Sequence, residues 1–192
     1  MKRVSAALAA VAICTLFAAN ASAQANLSLR GIGLKAGVVN PEDLDATLGL
    51  GLIFDLGTLH PNVAFESYAG YWSQTEDAYG AEFGVKDFSF GAKAKYMFKT
   101  SNPTVQPYAG GGLGIHILNA HADIAPVYFG GSLIYPGESV SDTETKIGLD
   151  LGGGLRLDRG SQFSFFGEGW FSIVSDVSQF SLMIGAEYMF GR

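Results

Sequence analysis

The chain has 192 residues, 26 of them glycine, with 18 acidic side chains against 12 basic ones and a single cysteine. A formal charge of −6 argues against the basic footprint of a nucleic-acid-binding protein, so no nucleic-acid partner is expected. One cysteine excludes a disulfide framework or a sulfur-ligated metal centre, and after residue 23 no apolar run approaches the roughly 20 residues of a spanning helix.

The chain opens as an export segment. Lys2 and Arg3 precede the apolar run Val4 to Phe17, and Ala21-Ser22-Ala23 supplies the small-x-small pattern of a cleavage site ahead of Gln24. Cys14 lies inside this run, and Ile13 before it is not the small residue that a lipoprotein signal would need. The expected organisation is a signal peptide over residues 1–23 and one domain over 24–192. Cleavage leaves 169 residues, ten bases and eighteen acids, a net charge of about −8 and no thiol.

Eight strand-like stretches follow, at roughly 29–39, 44–56, 62–74, 84–98, 105–119, 144–158, 162–174 and 178–190. Each alternates apolar residues with glycine or charge. In the first, Ile32, Leu34, Ala36 and Val38 oppose Gly31, Gly33, Lys35 and Gly37; in the third, Phe65, Ala69 and Tyr71 oppose Glu66, Tyr68 and Trp72. In the fifth, Leu113, Ile115 and Ile117 oppose Gly112, Gly114 and His116. The seventh, with Phe163, Phe165, Phe171 and Ile173 against Phe166, Glu168 and Trp170, alternates least cleanly. The connections at Gly57–Pro61, Lys99–Thr104 and Asp158–Ser161 read as tight turns. At the other end lie two longer loops near 75–83 and 120–143 and two short ones, Asn40–Asp43 and Ser175–Val177. Short turns at one end and longer loops at the other fit a membrane barrel.

Alternation alone does not say which face is dry, because a soluble lipocalin-like calyx holding a small apolar ligand would place the same residues inside. Volume distinguishes the two. The apolar face carries roughly thirty medium or large side chains, whereas the interior of an eight-stranded barrel is only just wide enough for its own side chains. The opposite face is rich in glycine, including Gly31, Gly33, Gly49, Gly51, Gly91, Gly110, Gly112, Gly114, Gly148, Gly152, Gly154 and Gly185, and suits a narrow lumen. Its ionic residues nearly balance: Asp45, Asp55, Glu66, Asp150, Glu168 and Glu187 against Lys35, Lys93, Lys95 and Arg156. Charges inside a narrow barrel persist only when paired, so these ten are the expected lumen ion-pair residues, forming a plug more readily than an open channel. No Lys or Arg stands in the apolar rows, where one near the midplane would cost about 2–4 kcal/mol in lipid. Aromatic residues gather near the strand ends, with Phe54, Tyr96, Phe98, Phe163, Phe165, Tyr188 and Phe190 toward the tight turns and Tyr71, Phe171 and Phe180 toward the loops.

These features resemble small outer-membrane barrels of the OmpA and OmpX type, within the broader outer-membrane β-barrel and porin-family group. The resemblance rests on the export segment, on Gly31 to Gly37, on Pro107 to Ile115 and on the last strand, Phe180 to Phe190. It implies an eight-stranded antiparallel up-and-down transmembrane β-barrel, in contact with outer-membrane lipid and inserted by machinery that reads the last strand. Gly191-Arg192 follow Phe190, where the family typically ends on a terminal aromatic residue.

Chemistry is sparse. Gly31-x-Gly33-x-x-Ala36 mimics a dinucleotide fingerprint, but no strand precedes it and no helix follows, so no cofactor is expected. Of the three histidines, His60 falls in a turn, His116 on the glycine face and His121 at the start of the longest loop; opposite parity keeps His116 and His121 from converging on one metal. His121, Ser132, Glu138 and Ser139 are the residue types of barrel hydrolases, without a motif to join them, and the expectation is a protein that is not an enzyme. The segment Ile124 to Pro136 is unusually apolar for a loop, and within it Tyr128, Phe129, Leu133, Ile134 and Tyr135 are the expected contacts for a surface partner. The reading is a structural or surface-interaction protein of the outer membrane, with a secreted ligand-binding barrel and a narrow channel as alternatives.

Overall fold

The computed structural model describes residues 25–78, 81–175 and 177–191; the expected signal peptide, residues 1–23, lies outside them. Eight long strands form the body: β1 (Asn26–Pro41), β2 (Thr47–His60), β3 (Val63–Ala78), β4 (Ala81–Met97), β5 (Val105–Ile124), β8 (Glu138–Asp158), β9 (Phe163–Val174) and β10 (Gln179–Met189). They close antiparallel in the ring order β1-β10-β9-β8-β5-β4-β3-β2, and two short strands, β6 (Val127–Phe129) and β7 (Ser132–Tyr135), form a separate hairpin. Closure is made by β1 and β10, in register from Gly31 opposite Met189 to Pro41 opposite Gln179. In a bilayer such closure satisfies every backbone group without leaving an edge in hydrocarbon.

The alternation read from the sequence is the alternation of faces. Leu48, Leu50, Leu113, Ile147, Leu182 and Ile184 are exposed on the outside, whereas Lys35, Glu66, Lys93, Lys95, Asp150 and Glu168 are buried within. Phe163 and Phe190 pack on Tyr188, and Tyr96 on Phe98, as edge-to-face pairs near the tight turns. Glycine lets the inner wall close up: a Cβ at Gly152 would stand 2.8 Å from both the Cα and the Cδ2 of Trp170. That close approach leaves room for the indole in the lumen.

Three expectations are corrected. Residues 75–83 and 120–143 are not simply loops. β3 runs to Ala78, β4 starts at Ala81, and β5 and β8 stay paired out to Ile124 opposite Glu138. β9 joins β8 only from Gly148, so β3, β4, β5 and β8 continue as a sheet beyond the closed ring. Polar alternation (Asn119, His121, Asp123 and Thr143, Ser141, Ser139) hid this extension, because both faces there meet water instead of one meeting lipid. Asp45 is not a lumen residue. β1 extends to Pro41, and the chain then turns through Asp43 at φ 63°, leaving Asp45 exposed before β2 begins at Thr47. His60 lies at the end of β2, not in a turn.

The β6–β7 hairpin has its own local logic. Gly130 and Gly131 both have positive φ, at 61° and 82°, which matches the tight turn favoured between twisted antiparallel strands.

Candidate functional site

Inside the barrel the polar groups are stacked in layers. Nearest the tight turns, Arg156 Nη2 meets Glu187 at 2.8 Å and donates to Ser164 Oγ at 3.0 Å, with Asp55 3.8 Å from Nη1. At the centre, Glu168 accepts from Lys35 at 2.8 Å, from Tyr108 at 2.8 Å and from Lys95 at 3.1 Å, while Lys95 also donates to Glu66 at 2.6 Å. One strand-step further, Asp150 accepts from Tyr68 at 2.6 Å and from Ser172, and Lys93 lies 3.8 Å away between the rings of Tyr68 and Trp170. Above that, His116 Nδ1 and Asp87 Oδ2 lie 2.8 Å apart, and Gln179 bridges Asp87 to the Trp72 indole N–H. An apolar layer of Val39, Trp72 and Met183, with Leu44, Val85 and Val177 against it, closes the end toward the protruding sheet.

Nine of the ten residues read as lumen ion-pair groups thus face the interior, at Lys35, Asp55, Glu66, Lys93, Lys95, Asp150, Arg156, Glu168 and Glu187. Asp87 shares their inward parity on β4, two residues before Ser89, and was legible by the same rule. Tyr68, Tyr108, Ser172 and Gln179 carry no charge and give no ionic signal, yet they donate hydrogen bonds to Asp150, Glu168 and Asp87. The cavity beside Tyr68, Lys93, His116 and Gln179 measures only about 50 Å³, room for no solute larger than water.

The external end is different in character. Among the described residues beyond the level of Phe88 and Ile117 and outside the lumen, Glu42, Asp43, Asp45, Glu76, Asp77, Glu82, Asp123, Glu138, Asp142 and Glu144 stand against a single base, Lys86. Leu133 and Ile134 on β7 are 52 % and 65 % exposed at the tip of the extension. Tyr135 donates to Glu138 at 3.0 Å, which raises its phenol above the ordinary range. The backbone of Tyr128 and Phe129 forms β6, and their side chains lie outside the described set. His121, on the outer face, has Glu82 and Asp123 as its acidic neighbours. Among the described residues no serine hydrogen-bonds to a histidine.

The family described as "Outer membrane protein beta-barrel domain" matches residues 6–190. The chain belongs to this family. Its rows of Leu, Ile and Phe therefore face outer-membrane lipid, and the protein resides in the cell outer membrane. With the tight turns toward the periplasm, the protruding sheet is external. Solved structures of the same fold include Neisserial surface protein A, at 18% identity and TM-score 0.63, covering 86% of this chain and 100% of that one. A major outer membrane protein of Thermus thermophilus aligns at 12% identity and TM-score 0.60 over 85% of this chain and 100% of its own. Ail, the attachment invasion locus protein of Yersinia pestis, aligns at 20% identity and TM-score 0.51 over 84% and 97%. Comparison with the curated proteins gave no match.

Proposed function

We propose that this is a non-catalytic surface protein. Its plugged barrel is a rigid membrane anchor, and its β5–β8 extension presents the β6–β7 hairpin to a partner outside the cell. The observation that carries this reading is the contrast between the two ends of one molecule. Inside the ring the layers are joined by buried ion pairs and hydrogen bonds, whereas Leu133 and Ile134 stand exposed on the hairpin at the far end of the extension. Adjacent exposed aliphatic residues on a protruding element form the kind of apolar patch that, when contiguous, marks an interaction surface. Ail, an attachment invasion locus protein of the same fold, is in keeping with such a role.

The same geometry supports a non-catalytic reading. His116 is enclosed with Asp87 in the lumen, away from any external substrate, and His121 faces carboxylates instead of a nucleophile. Insertion by the barrel-assembly machinery would read β10, which ends next to Phe190 and completes closure with β1.

The test uses two variants displayed on cells: Leu133→Ser/Ile134→Ser, and a deletion of residues 126–136 closed by a Gly-Gly turn. Migration of unboiled samples on a gel reports folding. If folding is unchanged while cell–cell aggregation and adhesion to surfaces fall, the surface role stands. Equal aggregation and adhesion with and without the hairpin would overturn it, and misfolding of the deletion variant would assign the segment to packing.

A further inference from the structure

The outer face of the external extension carries an arrangement that neither lipid contact nor the hairpin explains. Glu82 on β4 lies directly opposite Asp123 on β5, and Asp77 on β3 lies opposite Glu82, so three carboxylates follow one another along a single cross-strand row. Like charges placed directly opposite destabilise a sheet. One row nearer the membrane, Gly84 pairs with His121. Gly84 leaves room for the ring: a Cβ there would fall 2.5 Å from Nε2 of His121, so any larger residue would displace the imidazole. Held in this way, His121 is mostly buried, its Nδ1 has no partner, and its Nε2 points at Glu82.

The separation is informative. Nε2 and Glu82 Oε1 are 3.7 Å apart, too far for a hydrogen bond. Two ligands each about 2.0–2.2 Å from a tetrahedral cation stand about 3.4 Å apart. One ligand atom from each of Glu82, His121 and Asp123 can be taken so that all lie within 4.8 Å of one another. We propose that these three residues hold a divalent transition-metal ion of the zinc class on the outer face of the barrel, just beyond the membrane. An imidazole nitrogen with two carboxylate oxygens suits zinc or a neighbouring first-row ion better than calcium or magnesium, which favour all-oxygen shells. The cation relieves the repulsion between Glu82 and Asp123, and the acidic external end raises its local concentration. The ion would also fasten β4 to β5 where the sheet has left the closed ring.

The test is calorimetric titration of the folded full-length mature chain in detergent with zinc chloride, and separately with calcium and magnesium chloride. The expected result is one zinc ion per chain, bound at least tenfold more tightly than calcium or magnesium. His121→Ala and Asp123→Asn should each weaken zinc binding at least tenfold, and His60→Ala, at an exposed histidine far from the site, should leave it unchanged. Asp123→Asn keeps shape and hydrogen-bonding capacity, and migration of unboiled samples checks the fold of each variant. Absence of stoichiometric zinc binding, or binding that survives both His121→Ala and Asp123→Asn, would overturn the proposal.

Discussion

Lys35 on β1 and Glu168 on β9 meet at 2.8 Å although β10 lies between their strands, so the pair spans the lumen as a chord instead of decorating one hairpin. Glu168 is 2 % exposed and also accepts from Lys95 and Tyr108. Removing its charge leaves two buried lysines facing a neutral group. Glu168→Gln is therefore expected to destabilise the barrel by about 3–5 kcal/mol, the cost of breaking a buried pair from one side. Urea-driven unfolding in lipid vesicles measures this. A change below about 1 kcal/mol would mean that water reaches the centre of the lumen and screens these charges.

The glycines of the inner wall predict a sharp positional contrast. At Gly114 a Cβ would collide with the Tyr68 hydroxyl, which donates to Asp150; at Gly167, on the outer face, nothing comes closer than 4.0 Å. Gly114→Ala should push Tyr68 off Asp150 and lower stability by about 1–3 kcal/mol, the cost of leaving a buried polar group unsatisfied. Gly167→Ala should fold as well as the parent chain. Refolding yields of the two variants, read from the gel shift between boiled and unboiled samples, decide this.

Much of this fold was legible because one physical contrast, lipid against a narrow interior, imposes a period of two on every membrane strand. Leu113 against Gly112 and Phe88 against Asp87 report that contrast residue by residue. Where the contrast ends, so does the signal. At Asn119, His121 and Asp123 both faces of β5 meet water, and the strand reads as loop until its pairing with Thr143, Ser141 and Ser139 is visible. The Glu82–His121–Asp123 group is not visible in the sequence because the alternation inverts there: Phe83, Val85, Leu118, Ala120 and Ala122 take the inward parity, and the outward positions that are apolar in the membrane become polar. Parity alone places Asp45 inside, and parity fails there because the chain is not extended until β2 begins at Thr47. Pairing partners such as Lys35 with Glu168 depend on ring closure across the barrel, and strand periodicity carries no such information.

Lipid exposure gives a depth-dependent prediction. Leu113 is 61 % exposed and pairs with Ala92, midway between the aromatic residues near the tight turns and Phe88 toward the external end. Leu113→Arg should cost about 2–4 kcal/mol, because the guanidinium would sit in hydrocarbon. Leu133→Arg, on the hairpin outside the membrane, should change stability by less than about 0.5 kcal/mol. Unfolding in vesicles compares the two, and equal effects would contradict the position assigned to the bilayer.

The layered lumen predicts a closed barrel. An ion crossing it would have to pass the Arg156–Glu187 layer, the Glu168 hub, Lys93 wedged between Tyr68 and Trp170, and the apolar layer of Val39, Trp72 and Met183. Each step breaks a buried contact, and the space beside His116 admits only water. Purified protein in a planar bilayer should therefore show no discrete conductance steps at moderate voltage. Substituting the apolar layer alone, as in Trp72→Ala, should not open a path either, because the ionic layers beneath it remain joined. Regular unitary currents from the unaltered chain would show that the plug moves, and the narrow-channel reading would replace that of a rigid anchor.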